Sequence, residues 1–192
     1  KELPNSKAFI CDVSDIDKLK NTCKKIKKEM GSPEVLIHNA VKGNFEKLLE
    51  GKPEWLEENF RINTTSLMYL AHELIPNMIT NKKGVIIVTG NTAAKRGVAN
   101  TPYFAPTKAA QRILAQSLAK DFGPKGIHVA YIMIDAFINT PWTRKRIPAQ
   151  IDQPDNIFTQ PKEIAEEIYH IAHQNRSAWS FDVEIRPDIE KW

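Results

Sequence analysis

The chain has 192 residues, of which 42% are hydrophobic and 26% charged, and its 27 basic and 23 acidic side chains leave a net charge of +4. These values predict one globular domain over residues 1–192 with a sizeable core. The one dense basic run, at residues 18–28, is interrupted by apolar residues at helical spacing. That pattern is typical of a solvated helix face, so we expect no nucleic-acid site.

Cysteine use and hydropathy predict the compartment. Cys11 and Cys23 are the only cysteines, and their spacing suggests neither a disulfide framework nor a zinc site. His170 and His173 share a helix face but lack a third ligand nearby, so a surface pair is favoured and no metal is expected. No stretch approaches 18 uninterrupted apolar residues, and residues 1–7 resemble neither a signal peptide nor a transit peptide. We therefore expect a cytoplasmic protein that does not insert into membranes.

The first half of the chain alternates strand and helix patterns. Residues 8–10 form a short apolar run that stops at a polar turn, which predicts a strand. Ser14 is the expected cap of a helix whose apolar positions recur every three or four residues, until Gly31 ends it in a left-handed conformation. The remaining predicted elements of this half are a buried strand and two helices, at residues 34–38, 54–60 and about 64–78.

The second half continues the alternation. Residues 84–89 are continuously apolar apart from their last position, as expected for a parallel strand covered by helices on both sides. Residues 179–186 alternate apolar and polar side chains like a half-buried edge strand. Residues 142–156 contain two prolines and little periodicity, and we expect them to form a substrate lid. A helix, a strand and a further helix are predicted at residues 103–121, 127–134 and 162–174.

Strands separated by helices of this length predict an α/β fold of Rossmann type, with a doubly wound and mostly parallel sheet. In that architecture ligands bind beyond the carboxyl ends of the strands. Four such ends are candidate site segments, at residues 12–13, 38–41, 90–91 and 135–140.

Five motifs make the chain resemble the short-chain dehydrogenase/reductase superfamily. They are, in order, Asp12 with Val13, residues 38–41 (HNAV), Asn63, Lys108 with two alanines after it, and residues 138–140 (INT). Each motif alone is weak, but all five stand in the family's order with family-like gaps. The resemblance covers nearly all of the chain. It implies the Rossmann fold, an NAD or NADP cofactor, a small-molecule substrate and a homo-oligomer.

The resemblance also implies roles for the matched residues. Asp12 would accept a hydrogen bond from the adenine amino group, Lys108 would bind the nicotinamide ribose, and residues 138–140 would hold the nicotinamide carboxamide. Asn63 stands where the family has a structural and proton-relay asparagine. The expected cofactor-binding residues are Asp12, Val13, Asn39, Ala40, Lys108, Ile138 and Thr140.

The catalytic positions depart from the family pattern. The family pairs a tyrosine with the lysine four residues later, and counting back four from Lys108 reaches Phe104. Thirteen residues earlier, Asn91 stands in place of the family's serine. Tyr103 is no replacement, because an adjacent helical residue points roughly 100° away. Phenylalanine cannot carry a proton, whereas the amide of Asn91 can still orient a carbonyl. The expected catalytic residues are Asn63, Asn91 and Lys108, in a subgroup that lacks the tyrosine and serine.

The glycine-rich loop with which the family begins, and which cradles the cofactor pyrophosphate, does not occur in this sequence. The first predicted strand resembles the family's third. Since one βαβ unit takes about 30 residues, we expect a βαβα segment of roughly 50 residues to precede Lys1 in the whole domain. Without that segment we expect dinucleotide to bind poorly. The residues that choose between NAD and NADP would also lie there.

Two functions fit these residues. The first is an NAD(P)-dependent oxidoreductase in which Lys108, or a water held by Asn63, handles the proton while Asn91 orients a carbonyl. The second is a catalytically inactive nucleotide-binding protein, either a pseudo-enzyme or a dimeric scaffold. Both agree with the presence of Lys108 and the loss of the tyrosine, and the resemblance favours the first.

Overall fold

The computed structural model of the protein describes residue 3, residues 5–146 and residues 157–189. The helices of this part are α1 Ile16–Met30, α2 Glu54–Phe60, α3 Ser66–Thr80, α4 Ala105–Phe122, α5 Pro141–Arg146 and α6 Pro161–Ala172. The strands are β1 Val35–His38, β2 Gly84–Gly90, β3 Ile127–Ile134, β4 Phe137–Ile138, β5 Phe158–Thr159 and β6 Asp182–Ile185.

The main sheet contains four strands in the order β1-β2-β3-β6, and every neighbouring pair is parallel. All eight residues of β3 are buried, as its apolar sequence predicts for a central strand. β6 pairs with β3 on one side only and forms an edge. The Rossmann-like parallel sheet predicted from the sequence is therefore confirmed.

Helices cover both faces of this sheet. On one face, α3 and α4 pack their apolar side chains against β2 and β3 in a core that includes Leu67, Ala115 and Val129. On the other face, Ile164 and Ile171 of α6 pack against the same two strands. Alternate residues of β3 thus enter two separate cores, which fixes the sheet between its helices. Among the helices of the described residues, none is long and apolar enough to cross a bilayer.

α2 and α3 form one uninterrupted helix, although the sequence predicted two. A π-helical turn, Arg61–Thr65, joins them. A π turn inserts an extra residue into the helix and changes the direction in which its side chains point, and such turns are frequent at functional sites. Asn63 lies in this turn and is fully buried.

Two other local predictions are wrong, namely the strand at residues 8–10 and the cap of α1. Residues 8–10 form no strand, because no described strand lies beside them to share hydrogen bonds. The cap of α1 is Asp15, whose carboxylate accepts from the backbone N–H of Lys18 at 3.0 Å, and not Ser14. Gly31 has the expected positive φ, of 87°. Most of the predicted lid at residues 142–156 lies outside the described residues, and its first residues belong to α5.

Candidate active site

The carboxyl ends of β1, β2 and β3 lie at one edge of the sheet. β1 pairs His38 with Val88 of β2, and β2 pairs Gly90 with Met133 of β3. The residues that follow these strands are therefore neighbours, although they are far apart in the sequence. Three of the four predicted site segments meet at this edge.

Asn63 connects the loop after β1 to the start of α4. Its Oδ1 accepts from the backbone N–H of Lys42 at 2.9 Å, and its Nδ2 donates to the carbonyl oxygen of Lys42 at 2.8 Å. The same amide nitrogen donates to Oγ1 of Thr107 at 2.8 Å. Both amide hydrogens are therefore used within the protein. This geometry fits the structural part of the role predicted for Asn63.

Lys108 projects from α4 into the protein and is only 2% exposed. Its Nζ donates to the carbonyl oxygen of Thr89 at 3.1 Å and to Oε1 of Gln111. Burial lowers the pKa of the ammonium group from 10.5 to about 8, because the charged form loses its hydration. An ammonium group has three donors, so the described contacts leave one N–H for a ligand.

The hydrogen bonds of Lys108 continue into a buried polar chain. Nε2 of Gln111 lies 3.1 Å from Nδ1 of His38, and Nε2 of His38 lies 2.8 Å from Oγ of Ser66. Ser66 donates its only hydroxyl hydrogen to the carbonyl oxygen of Ile62, so it must accept from His38. His38 is therefore protonated on Nε2, and its Nδ1 accepts from Gln111. We assign this tautomer from the network.

Electrostatics agrees with a neutral His38. Burial, and after it the positive charge of Lys108, lower the pKa of His38 from 6.5 to about 4. A protonated imidazole would also lose the hydrogen bond that Nδ1 accepts from Gln111. His38 therefore stays uncharged near neutral pH and holds Gln111, which in turn holds Lys108.

Phe104 stands at the start of α4 as the sequence register predicts, and it is 2% exposed. Its ring contacts that of Phe45, with 5.0 Å between the centroids. Tyr103 points elsewhere, since its hydroxyl donates to the carbonyl oxygen of Leu48 and its ring meets Trp55 edge-on. Tyr103 therefore cannot supply the hydroxyl that Phe104 lacks.

A cavity of about 350 Å³ opens in front of Phe104. Apolar walls come from Phe45, Phe104 and Phe137, and Asn91 is one of its polar residues. Oδ1 of Asn91 is buried without a hydrogen-bond partner among the described residues. A buried amide oxygen with no partner is uncommon, and it marks a place where a ligand donor would bind.

The ionisable residues of this cavity are few. Among its described lining residues, only Arg96 and Asp135 carry an ionisable side chain. Arg96 is exposed at the mouth, and Asp135 follows the last residue of β3 and is half-buried. Lys108 does not line the cavity.

Four of the predicted cofactor-binding residues lie in loops, namely Asp12, Val13, Asn39 and Ala40. The carboxylate of Asp12 accepts from the backbone N–H of Ser14 at 2.9 Å and from its hydroxyl at 2.8 Å, and these bonds lower the pKa of Asp12. Oδ1 of Asn39 accepts from the hydroxyl of Thr89 at 2.7 Å. Val13 and Ala40 are half-buried. Binding of a cofactor by these residues stays a prediction.

Ile138 and Thr140 follow β3 as expected. Ile138 lies in the short strand β4 and pairs with Thr159 of β5. Oγ1 of Thr140 accepts from the backbone N–H of Thr143 at 3.1 Å, so it helps to begin α5. The role of Thr140 toward a carboxamide stays a prediction.

These side chains fit a nicotinamide cofactor. Asn91 offers an unpartnered buried oxygen, and Lys108 offers a free donor at the carboxyl end of β2. Both lie where parallel α/β sheets bind nucleotides. Among the described residues, no group of three or more His, Cys, Asp or Glu side chains could hold a metal ion.

Sequence reasoning missed three contributors to this site. Gln111 follows Lys108 by three residues, and a polar residue on that buried helical face was the available signal. His38 lies in the candidate segment at residues 38–41, but no role was predicted for its side chain, which ends β1 and is buried. Asp135 lies in the candidate segment at residues 135–140, but its own part in the site was missed because its position in the cavity depends on tertiary structure.

Comparisons with known proteins agree with the fold. A family model described as short chain dehydrogenase matches residues 1–150. A 3-oxoacyl-(acyl-carrier-protein) reductase, FabG, of Buchnera aphidicola is 26% identical over 178 residues. That match covers 90% of this chain and 72% of the relative.

Two solved structures are similar over most of the chain. A metagenomic short-chain oxidoreductase in complex with NADP superposes with a TM-score of 0.78 at 22% identity, covering 96% of this chain and 75% of its own. A short-chain dehydrogenase from Rhodopseudomonas palustris gives a TM-score of 0.76 at 26% identity, covering 94% of this chain and 74% of its own.

Proposed function

The chain belongs to the short chain dehydrogenase family, and from that premise we propose that the protein is an NAD(P)-dependent oxidoreductase acting on a small carbonyl or alcohol substrate. The observation that carries this proposal is the cavity between Asn91 and Phe104, at the carboxyl ends of β2 and β3. Its aromatic walls suit a substrate with an apolar body.

The proposed chemistry divides between cofactor and protein. A nicotinamide cofactor, when bound, would supply the hydride chemistry at the substrate carbon. Asn91 donates an amide N–H to the substrate oxygen and orients it. Lys108, held by Gln111 and Thr89, binds the cofactor ribose with its remaining N–H.

The route of the proton is atypical, because the buried ring of Phe104 has no hydroxyl. The sequence favoured Lys108, or a water held by Asn63, as the carrier. Neither residue lines the cavity, and both amide hydrogens of Asn63 are used within the protein. These contacts favour a residue of the cavity lining as the proton carrier. General acid or base catalysis contributes roughly 10²- to 10⁴-fold to a rate. Without a proton carrier, the protein is therefore not expected to reach the usual turnover rate of the family.

Titration of the full-length protein with NADH and NADPH, followed by assays on acetophenone and acetoacetyl-coenzyme A, tests this function. The thioester is chosen because a relative is named as a 3-oxoacyl reductase. We expect cofactor binding and turnover, with turnover lowered in Asn91→Ala and raised in Phe104→Tyr. Tyr103→Phe is the matched control, since its hydroxyl faces away from the cavity, and it should keep the wild-type rate.

The alternative is a nucleotide-binding pseudo-enzyme or scaffold. The replacement of a proton-carrying tyrosine by Phe104 favours it. Cofactor binding without turnover, unaffected by Asn91→Ala, would support this alternative and exclude the oxidoreductase.

We also propose a homo-oligomer located in the cytoplasm. Met68 and Ile79 on α3 and Ile113 on α4 are apolar and between 37% and 54% exposed. Apolar residues exposed on neighbouring helices are expected at subunit contacts. Light scattering of the purified protein would test the assembly, and a monomer at micromolar concentration would contradict it.

A further inference from the structure

We propose that the side chain of Asp135 carries the proton in place of the missing tyrosine, acting as the general base when an alcohol is oxidised. This inference rests on the proposed oxidoreductase function and adds a catalytic residue to it. Its basis is that the cavity contains a carboxylate and the aromatic ring of Phe104 in the same enclosure.

The sheet fixes the position of Asp135. Its backbone N–H donates to the carbonyl oxygen of Ile185 at 2.8 Å, so the ladder between β3 and β6 continues through it. Gly90 pairs with Met133, and neighbouring strands lie about 4.8 Å apart. Asn91 and Asp135 therefore follow adjacent strands, and Asp135 lies one residue further along the ladder than the residue opposite Asn91. The residue that would orient the substrate oxygen and the residue that would take its proton line the same cavity.

The carboxylate of Asp135 has no structural task to explain it. Within the described part of the chain, its side chain forms no hydrogen bond or ion pair, although it is half-buried in a cavity with aromatic walls. Arg96, the other ionisable residue of the lining, has a guanidinium group with donors only and no acceptor. Among the described lining residues, Asp135 is thus the one with a carboxylate to accept a proton.

The reaction balances with this carrier. As the alcohol is oxidised, its O–H bond breaks and the proton passes to a carboxylate oxygen of Asp135. Its C–H bond breaks at the same time, and the hydride with both electrons passes to the oxidised nicotinamide, leaving a carbonyl. The carboxyl group then releases the proton to water. A carboxylate oxygen has lone pairs that can accept a proton, so Asp135 can serve as the base in alcohol oxidation.

Two measurements on the full-length protein test this role. The first is oxidation of 1-phenylethanol by the wild type, Asp135→Asn, and Asp135→Asn combined with Phe104→Tyr. The second is a calorimetric comparison of ligand binding by the wild type and Asp135→Ala. Binding of 1-phenylethanol is measured with reduced cofactor and binding of acetophenone with oxidised cofactor, because neither combination can react. Asp17→Asn, on the exposed first turn of α1, is the control for the loss of one carboxylate.

We expect Asp135→Asn to lower kcat at least 100-fold while cofactor binding stays unchanged, since general base catalysis is worth roughly 10²- to 10⁴-fold. Adding Phe104→Tyr should recover at least tenfold, because the tyrosine supplies the lost group. An alcohol can donate to a carboxylate and a ketone cannot, so Asp135→Ala should weaken alcohol binding about tenfold or more and leave ketone binding unchanged.

A wild-type rate in Asp135→Asn would overturn the inference and leave the oxidoreductase function intact. A wild type that binds cofactor but oxidises nothing would overturn the proposed function instead. In that case, the comparison of alcohol and ketone binding tests whether the carboxylate of Asp135 contacts the substrate oxygen. An equal preference for alcohol over ketone in the wild type and Asp135→Ala would show that the carboxylate does not contact the substrate oxygen.

Discussion

The buried imidazole of His38 makes the stability of this protein depend on acid. Its pKa falls from 6.5 to about 4 in the folded state, first through burial and then through the charge of Lys108. Between these two pH values the unfolded chain binds a proton that the folded chain does not. The free energy of unfolding therefore rises with pH across this window and falls as the solution becomes acidic.

The size of this effect follows from the shift. Each pKa unit corresponds to about 1.4 kcal/mol, so a shift of this size makes acidification to pH 4 cost about 3 kcal/mol. A typical domain has a stability of roughly 5–15 kcal/mol, so this loss is a large part of the total. His38→Asn, which removes the titratable ring, should remove the dependence.

Urea unfolding followed by tryptophan fluorescence at pH 7 and pH 4 measures the effect. Between these pH values, the wild type should lose about 3 kcal/mol more than His38→Asn. The control is His72→Asn on the exposed surface of α3, which should follow the wild type. Equal acid-induced losses in the wild type and His38→Asn would refute the buried neutral histidine and the tautomer assigned to the network.

Three further predictions concern neighbouring residues. The pKa of Lys108 falls from 10.5 to about 8, so urea unfolding should show the wild type gaining about 3 kcal/mol relative to Lys108→Met as pH rises through that range. Tyr103→Phe should cost about 1 kcal/mol through the lost bond to Leu48, without changing cofactor binding measured by fluorescence. Gly90→Ala should lower the melting temperature, because the new Cβ would lie 1.9 Å from the hydroxyl of Tyr131, and overpacking costs about 1–3 kcal/mol.

Hydrophobic periodicity predicted most of the fold. The apolar runs of β2 and β3 and the amphipathic pattern of α1 are local signals, and the structure places each within a residue or two of its expected bounds. Residues 8–10 failed because a strand needs a partner, which a local pattern does not reveal. The π turn at Asn63 was also invisible, since its sequence is that of an ordinary helix.

The candidate site was predictable where it depends on register. Spacing along α4 placed Phe104 and Lys108, and helix geometry excluded Tyr103. The network from Lys108 through Gln111 to His38 joins residues 73 positions apart, so only tertiary structure brings them together. The same reason hid the role of Asp135, which lines one cavity with Asn91 because β2 pairs with β3.

The most direct test of the central claim is hydride transfer itself. NADPH and NADH carrying deuterium at both positions of C4 of the nicotinamide would be incubated with the full-length protein and each carbonyl probe, and the alcohol product analysed by mass spectrometry. We expect one deuterium per alcohol formed, with more product from Phe104→Tyr than from the wild type. Bound cofactor with no deuterium transferred by either protein would contradict an oxidoreductase site built around Asn91 and Lys108.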